Sequence, residues 1–419
     1  MIVTAHYFGA SDDLDAFLTA FLIPSILVET ATATFTPSFV PALIRVRDRQ
    51  GEPAAHDLAQ AGTVTMLAAV LPVAALMLIG GPSLLAWLGS GFSPAKLHTT
   101  GVLFFWMLLW LPFGALSATW RSVLNSHNRV ALAACLPLLT PVISVLLLSF
   151  SSSHWGIRVL PAAVVAGAII EAAMLAAAVH RLGYRVFLSP RAFRASMTFT
   201  PELRLAWGQY GPQLAGAASL AVAGLIDQAV AGSLGSGSVS ALSFGTRVSS
   251  VMIAIGGSAV ATAVLPEFSR LSSTGQWAAL RRAVRLTLLG TTAVMVAVAV
   301  GGILFAVPIV RLIYERGAFD AQSTEVVASI QRLAFLNLPG AAALGIIQRL
   351  TAAVSSASLL IRAGVAALLV NTVGDFLLPR WLGIGGIALA SVLAHLAFLI
   401  ALTTLLYIRE PRLFRRILS

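Results

Sequence analysis

Apolar runs of about twenty residues or more, parted by short polar stretches, recur along the whole chain and set its architecture. The runs have the length a helix needs to cross a bilayer core, and they lack the two-residue alternation of barrel strands. They predict twelve helices, near 1–9, 14–44, 58–88, 99–124, 130–150, 157–180, 205–231, 238–268, 283–308, 322–350, 356–378 and 384–408. The first stretch is interrupted after Phe8 and is too short to span, so the first helix is expected to be incomplete, or to begin upstream of Met1. No basic n-region precedes it, which argues against a cleavable signal peptide. Helices two, four, eight and ten exceed a bilayer's need, so tilt or protrusion is expected. Pro24, Pro112, Pro141, Pro212 and Pro339 lie within spans and predict kinks.

The pattern repeats. Gly9, Pro41, Phe92 and Pro112 are followed in the same order by Gly235, Pro266, Phe319 and Pro339, at offsets of 226, 225, 227 and 227 residues. So constant a spacing argues for duplication. Six helices per half is an even number, so the halves share a topology about an axis along the membrane normal. The expected fold is an all-α polytopic membrane protein of two six-helix lobes related by this parallel repeat. The expected division is 1–185 for the first lobe, 186–204 for a basic cytoplasmic linker, and 205–419 for the second lobe. The linker, which carries Arg191, Phe193 and Arg194, reads either as a helix lying on the anionic inner leaflet or as a plain connector.

Composition agrees with lipid as the main solvent: 58% hydrophobic, 10% charged, mean hydropathy +0.90. The net charge of +11 would suit a nucleic-acid partner, but the basic residues fall in short loops beside apolar runs rather than in one patch. Twenty of the 27 lie in the C-terminal tail and in loops after even-numbered helices, and five in loops after odd-numbered ones; Arg247 and Arg332 lie within helices. The positive-inside rule then places both termini in the cytoplasm. The single Cys135 excludes an internal disulfide and reads as a buried thiol. The histidines show no pair at metal-ligand spacing, and no phosphate-binding loop or hydrolytic triad is present. The chain thus offers binding groups in a membrane bundle and no enzyme chemistry.

Ionisable groups inside spans are costly and call for an account. Asp227 lies on helix seven. Asn371 and Asp375, at i and i+4, share a face of helix eleven, and Ser391 is mid-helix on helix twelve. Two carboxylates, an amide oxygen and a hydroxyl suit a small hard cation such as Na+. Alternatively one carboxyl carries a proton, or the groups only bond each other. Arg247 on helix eight reads as a cavity group that grips a pyrophosphate through its planar fork, or as a snorkelling side chain. Further candidate cavity groups are Asp15, Glu29, Glu171 and Arg332; Glu171 reads equally as a satisfied core residue. Arg121 and Arg349, at near-equivalent positions of the two halves, read as anchors at loop ends. Gly256-Gly257 predicts close helix approach or a bend.

Several of these segments resemble a known family. Tyr7-Phe8-Gly9-Ala10-Ser11, Asp15-Ala16-Phe17, Ile23-Pro24 and Phe39-Val40-Pro41 look like the opening of the lipid II flippases, the MurJ or MviN family. Arg247, Leu265-Pro266, Tyr314-Glu315-Arg316-Gly317-Ala318-Phe319 and Leu338-Pro339 match it in order, so the resemblance covers essentially the whole chain. It implies the multidrug/oligosaccharidyl-lipid/polysaccharide exporter superfamily. It also implies outward movement of the undecaprenyl-pyrophosphate-linked peptidoglycan precursor across the bacterial inner membrane by alternating access. Arg247 falls on a family position that contacts pyrophosphate, and Asp227, Asn371, Asp375 and Ser391 resemble a sodium site of the family. The implied partners are a lipid-linked glycan, membrane lipids and cell-wall synthesis enzymes, with Na+ or H+ as coupling ion and no other cofactor. The chain departs from the pattern at Leu27-Val28-Glu29-Thr30, where typical members carry an Arg pair, and it lacks the two further C-terminal helices common in the family. An exporter of another lipid-linked oligosaccharide or of a drug is the alternative, as is a paralogue that serves as a membrane scaffold.

Overall fold

The computed structural model describes residues 1–185, 203, 204, 207, 221–354 and 357–413. All described secondary structure is helical. Ten helical stretches among the described residues are long and apolar enough to cross a membrane. They fall where helices two to six and eight to twelve are expected. Of the expected linker at 186–204, residues 186–202 lie outside the described residues, as does most of the start of the expected seventh helix, Pro212 included.

The helices in chain order are α1 (Ile2–Phe8), α2 (Asp12–Gln50), α3 (Glu52–Leu88), α4 (Pro94–Leu108), α5 (Trp110–Ser126), α6 (Val130–Cys135), α7 (Leu139–Trp155) and α8 (Val159–Arg181). After the gap come α9 (residues 221–233), α10 (Ser238–Ser273), α11 (Trp277–Leu304), α12 (Ala306–Tyr314) and α13 (Ala321–Phe335). The chain continues with α14 (Asn337–Val354), α15 (Ala357–Leu377), α16 (Pro379–Leu382) and α17 (Gly385–Arg409).

Several boundaries extend past the apolar runs. α3 starts six residues before the expected 58 and is 37 residues long, so it joins the over-long helices. Gly51, at φ 86, turns the chain there, and Pro53 at the helix start fits where no N–H is needed. α4 begins at Pro94 rather than 99 because the Ser93 side chain accepts the Lys96 N–H at 3.3 Å. The kinks predicted at Pro112 and Pro339 appear as breaks at Leu109 and Leu336, three residues upstream in each half. A ring at position i displaces the carbonyl of i−4, and both breaks tighten instead into i−3 bonds of 3.1 Å, Leu109 N–H to Trp106 O and Leu336 N–H to Leu333 O. α2 carries Pro24, Pro37 and Pro41 without a break.

Contacts divide the chain into two units: Asp12–Ala221, and Met1–Ser11 with Val222–Ser419. In the first, α2 packs on α3, α4 and α5, and α8 packs on α5 and α7. Its core holds Phe35, Phe39, Leu43, Met66 and Leu124. Gly62 of α3 lies directly against the Phe39 ring, so a side chain there would clash. Trp207, assigned by sequence to the second lobe, packs here: its indole N–H donates to Thr65 Oγ1 at 3.2 Å.

In the second unit α15 and α17 form the most extensive pair, and α10 packs on α13 and α14. Phe268, Leu280, Leu350, Leu402 and Leu406 form its core. Gly256 of α10 lies close against the Met295 methyl of α11, the close approach expected there. The opening helix joins this unit rather than the first lobe. The loop after α12 turns at Gly317, φ 63, and the Ala318 N–H donates to His6 O of α1 at 2.8 Å. Large apolar side chains such as Ile79, Phe150 and Leu312 are exposed, as lipid-facing positions would be. Cys135 is exposed, contrary to the buried thiol expected from its apolar setting.

Candidate functional site

The polar residues inside the second unit converge. Gly374 precedes Asp375 on α15, and a Cβ there would stand 2.8 Å from the Ala390 Cβ of α17. That absence lets α17 approach closely, and it brings Ser391 beside the carboxylates. The Asn371 amide Nδ2 donates to Asp227 Oδ1 at 2.7 Å and to Asp375 Oδ2 at 2.6 Å. Ser391 Oγ lies 3.5 Å from Asp227 Oδ2, a long contact, and 3.3 Å from Ile387 O of its own helix, and its single proton serves one or the other. Asp375 is fully buried, and its Oδ1 has no hydrogen-bond partner. Two carboxylates from α9 and α15 thus face each other with one neutral amide between them.

This geometry refines the sequence expectation. Asn371 presents its nitrogen to the carboxylates, where the expectation had an amide oxygen as ligand. A half-turn of the amide exchanges the two atoms. An uncompensated buried carboxylate oxygen is the feature expected of a group that takes up a small cation or a proton. With the amide turned, every group facing the site offers an oxygen, which fits Na+. Among the described residues no three His, Cys, Asp or Glu side chains gather as a metal site.

A cavity of about 380 Å³ adjoins the cluster. Asp227, Gln228, Ser391 and His395 line one side, and Ser243, Thr246 and Ser250 of α10 line another. The Thr246 and Ser250 hydroxyls donate to carbonyls of their own helix, Leu242 O at 2.8 Å and Thr246 O at 2.9 Å. Their protons are therefore engaged, and their oxygens remain free as acceptors. A ring nitrogen of His395, Nδ1, lies 2.8 Å from Ser391 O. Sequence reading missed His395, although its i+4 spacing from Ser391 was available as a signal.

The other candidates scatter. Arg247 is exposed on α10, next to cavity-lining Thr246 and close enough to the buried Tyr314 to act on its hydroxyl electrostatically. It forms no ion pair among the described residues. Arg332 on α13 is likewise exposed and without an ion pair there, and Glu29 of α2 is exposed. Asp15 is not a cavity group: it is fully buried and accepts from Lys96 Nζ at 2.9 Å, while Asp12 accepts from the same ammonium at 2.6 Å. Glu171 is buried beside Arg121, Nη2 to Oε1 3.5 Å, so Arg121 is an interior ion-pair partner rather than a loop-end anchor. Arg349, in contrast, turns back on its own helix, donating to Gly345 O at 2.8 Å.

The Glu-Arg-Gly-Ala-Phe run earns its residues locally. Thr324 Oγ donates to Glu315 Oε2 at 2.7 Å, which with Arg311 holds this carboxyl below its ordinary range. Phe319 closes a buried cluster with Phe244 and Tyr314, ring centroids 5.5 and 5.8 Å away. Sequence reading also missed a cluster at the basic end of the first unit. There Tyr184 contacts Glu52 Oε2 at 3.4 Å between the rings of His56 and His127. Burial, then Glu52, pushes the Tyr184 hydroxyl pKa up.

The sequence profile of the lipid II flippase MurJ matches residues 4–418. The chain belongs to the MurJ family. Among MurJ relatives, a probable lipid II flippase of Rhizobium meliloti (strain 1021) is 28% identical over 345 residues, 79% of this chain and 62% of that protein. The lipid II flippase MurJ of Burkholderia cenocepacia is 25% identical over 338 residues, 77% of this chain and 63% of that protein. The chain thus spans less than two thirds of the length of these two MurJ relatives. A structure of a lipid II flippase MurJ in an inward closed conformation superposes with a TM-score of 0.80 at 20% identity, covering 97% of this chain and 83% of the other. An inward-facing multidrug resistance MATE family transporter of the MOP superfamily gives a TM-score of 0.77 at 14% identity, covering 99% and 95%. Both likenesses show the fold that the chain shares with these two structures.

Proposed function

We propose that the chain is the transport core of a flippase that carries lipid II, the undecaprenyl-pyrophosphate-linked peptidoglycan precursor, across the bacterial inner membrane by alternating access. The family match over residues 4–418 carries this reading. The work is transport, not covalent chemistry. Arg247, exposed and without an ion pair among the described residues, is the group to grip the pyrophosphate through its fork. Asp227, Asp375, Asn371 and Ser391 would hold the coupling Na+ or H+, which would supply the charge that the facing carboxylates lack. The basic helix ends belong in the cytoplasm, with both termini. Membrane lipids and the enzymes that make and use the precursor are the partners.

A second reading, export of another lipid-linked oligosaccharide or of a drug, is favoured by one observation. Around Leu27 and Val28, where typical members carry Arg, lies an apolar pocket of about 160 Å³ lined also by Ala31, Met66, Leu111 and Trp207.

Rescue of bacteria depleted of their own lipid II flippase tests the assignment, with expression verified by blot. Growth restored by the chain in its complete reading frame, and lost with Arg247→Ala, supports lipid II flipping. A well-expressed chain that never rescues overturns it and moves the cargo to another lipid-linked glycan. For the ion, Na+ should raise the thermal stability of the purified protein over choline, and Asp375→Asn should abolish that difference. A sodium-independent protein whose stability instead follows pH through Asp375 assigns the proton.

A further inference from the structure

At the basic end of the second unit, α11 and α17 both pack on α14 and leave a groove of about 300 Å³ between them. That is a ligand-sized volume. Val284 and Leu288 of α11, Ile347 of α14, Leu399 of α17 and Leu413 make its walls almost wholly apolar. Arg281 stands at the mouth, where its Nη1 donates to Arg412 O at 2.9 Å and holds the 3-10 turn Pro411–Leu413 in place.

The segments that flank the groove are strongly basic: Arg282 and Arg285 follow Arg281 on α11, Arg409 ends α17 and Arg412 lies in the turn held by Arg281, and all four are exposed. On the two flanking segments, 277–288 and 399–413, the sequence supplies one carboxylate, Glu410, against five Arg. None of the five forms an ion pair among the described residues, whereas Arg270 on the neighbouring α10 is held by Glu267 at 2.8 Å. Arg281 and Arg285 share a helix face at i, i+4.

An apolar slot with unpaired guanidinium groups at its mouth, at the end of membrane-crossing helices, complements a molecule with an anionic head and an alkyl tail. A bilayer presents such a molecule at high local concentration, and basic pockets between spanning helices hold anionic head groups. We propose that this groove binds an anionic phospholipid, with one acyl chain along Val284, Leu288, Ile347 and Leu399 and its phosphate at Arg281, Arg282 and Arg285. The site is separate from the carboxylate cluster, and the proposal does not depend on what the protein transports.

Native mass spectrometry of the full chain, released from detergent after exposure to equal amounts of phosphatidylglycerol and phosphatidylcholine, reads the site directly. Retention should favour phosphatidylglycerol. Arg282→Gln with Arg285→Gln should lower it by about fivefold for each arginine removed. Arg270→Gln, which removes one equal charge outside the groove, should leave it unchanged. Ala343→Phe fills the groove while keeping every arginine, and should also release the lipid; its thermal stability checks that the fold survives. Glycerol phosphate, a head group without a tail, should not compete. Equal retention of both lipids, equal loss with Arg270→Gln, unchanged retention in a folded Ala343→Phe protein, or displacement by glycerol phosphate would each overturn the site.

Discussion

Replacing Lys96 by Met separates two contacts that look alike and weigh differently. The ammonium lies 2.6 Å from Asp12 and 2.9 Å from Asp15, but the Asp12 side chain is 57% exposed and that of Asp15 is 0% exposed. A pair with one solvated partner contributes about 0–1 kcal/mol. Breaking a buried pair by removing one partner costs about 3–5 kcal/mol, because the surviving buried charge loses its counter-ion. Asp15 sits in the first turn of α2, where the helix dipole favours a negative charge, so the lower end of that range, about 3 kcal/mol, is expected. Part of that loss is the contact of the ammonium with the Phe92 ring, 4.0 Å to its centroid, at about 0.5–1 kcal/mol. Equilibrium unfolding in mixed micelles, followed by tryptophan fluorescence, measures the difference. Lys96→Met should lose about 3 kcal/mol and Asp12→Ala about 1 kcal/mol or less. Adding Asp15→Asn to Lys96→Met should recover most of the loss. If Asp12→Ala costs as much as Lys96→Met, or the double variant is no more stable than the single, the burial argument is wrong.

Gly374→Val should push α17 away at Ala390, cost about 1–3 kcal/mol by overpacking, and remove any Na+-dependent gain in thermal stability by drawing Ser391 from Asp227; a variant with the parent's sodium response refutes the role given to this contact. Phe319→Ala should cost about 3–5 kcal/mol in the same unfolding assay, since it opens the buried three-ring cluster; a loss under about 1 kcal/mol would mean the cluster collapses to fill the space. The loop after α12 should loosen in acid. Glu315 is held below its ordinary range first by the Thr324 hydroxyl, and Asp320 first by the Ser323 N–H. Both carboxylates favour the folded loop above the unfolded-chain values, and that contribution is lost as pH falls through the lowered folded ones, below about pH 4. Amide exchange at Ser323 and Thr324, corrected for its intrinsic pH dependence, should show protection falling there; constant protection down to pH 2 contradicts the assignment.

The spans were legible because lipid leaves the backbone few options: an apolar run of sufficient length must close its own hydrogen bonds. Helix ends beyond the bilayer were not, because past it nothing requires apolar side chains. Glu52, His56 and Asp57 therefore continue α3 where the hydropathy pattern had stopped. The breaks before Pro112 and Pro339 were readable, since a missing N–H acts locally. Within the site, Asn371 and Asp375 announced their shared face by spacing alone. Asp227, 144 residues away from Asn371, was joined to them by resemblance and by the rarity of acids in spans. Lys96 is one of the five basic residues that the pattern assigns to loops after odd-numbered helices; its partners lie 81 and 84 residues earlier, a pairing no local pattern encodes. The Arg121–Glu171 pair was hidden for the same reason: Arg121 reads as a loop-end anchor, while burial is one of the two readings open for Glu171.

The two helix breaks bear on stiffness. Bending an intact helix means stretching its backbone bonds, and the resistance comes from bonds not yet broken. At Leu109 and Leu336 one such bond is already forgone, because Pro112 and Pro339 carry no N–H. Further bending at these points breaks little that is still made. The compliance of α4–α5 and of α13–α14 is therefore concentrated at one residue each, with stiff segments on both sides, as in a jointed rod rather than a spring. Changes in tilt of one segment then appear as rotation about a fixed point, which leaves the packing within the other segment intact.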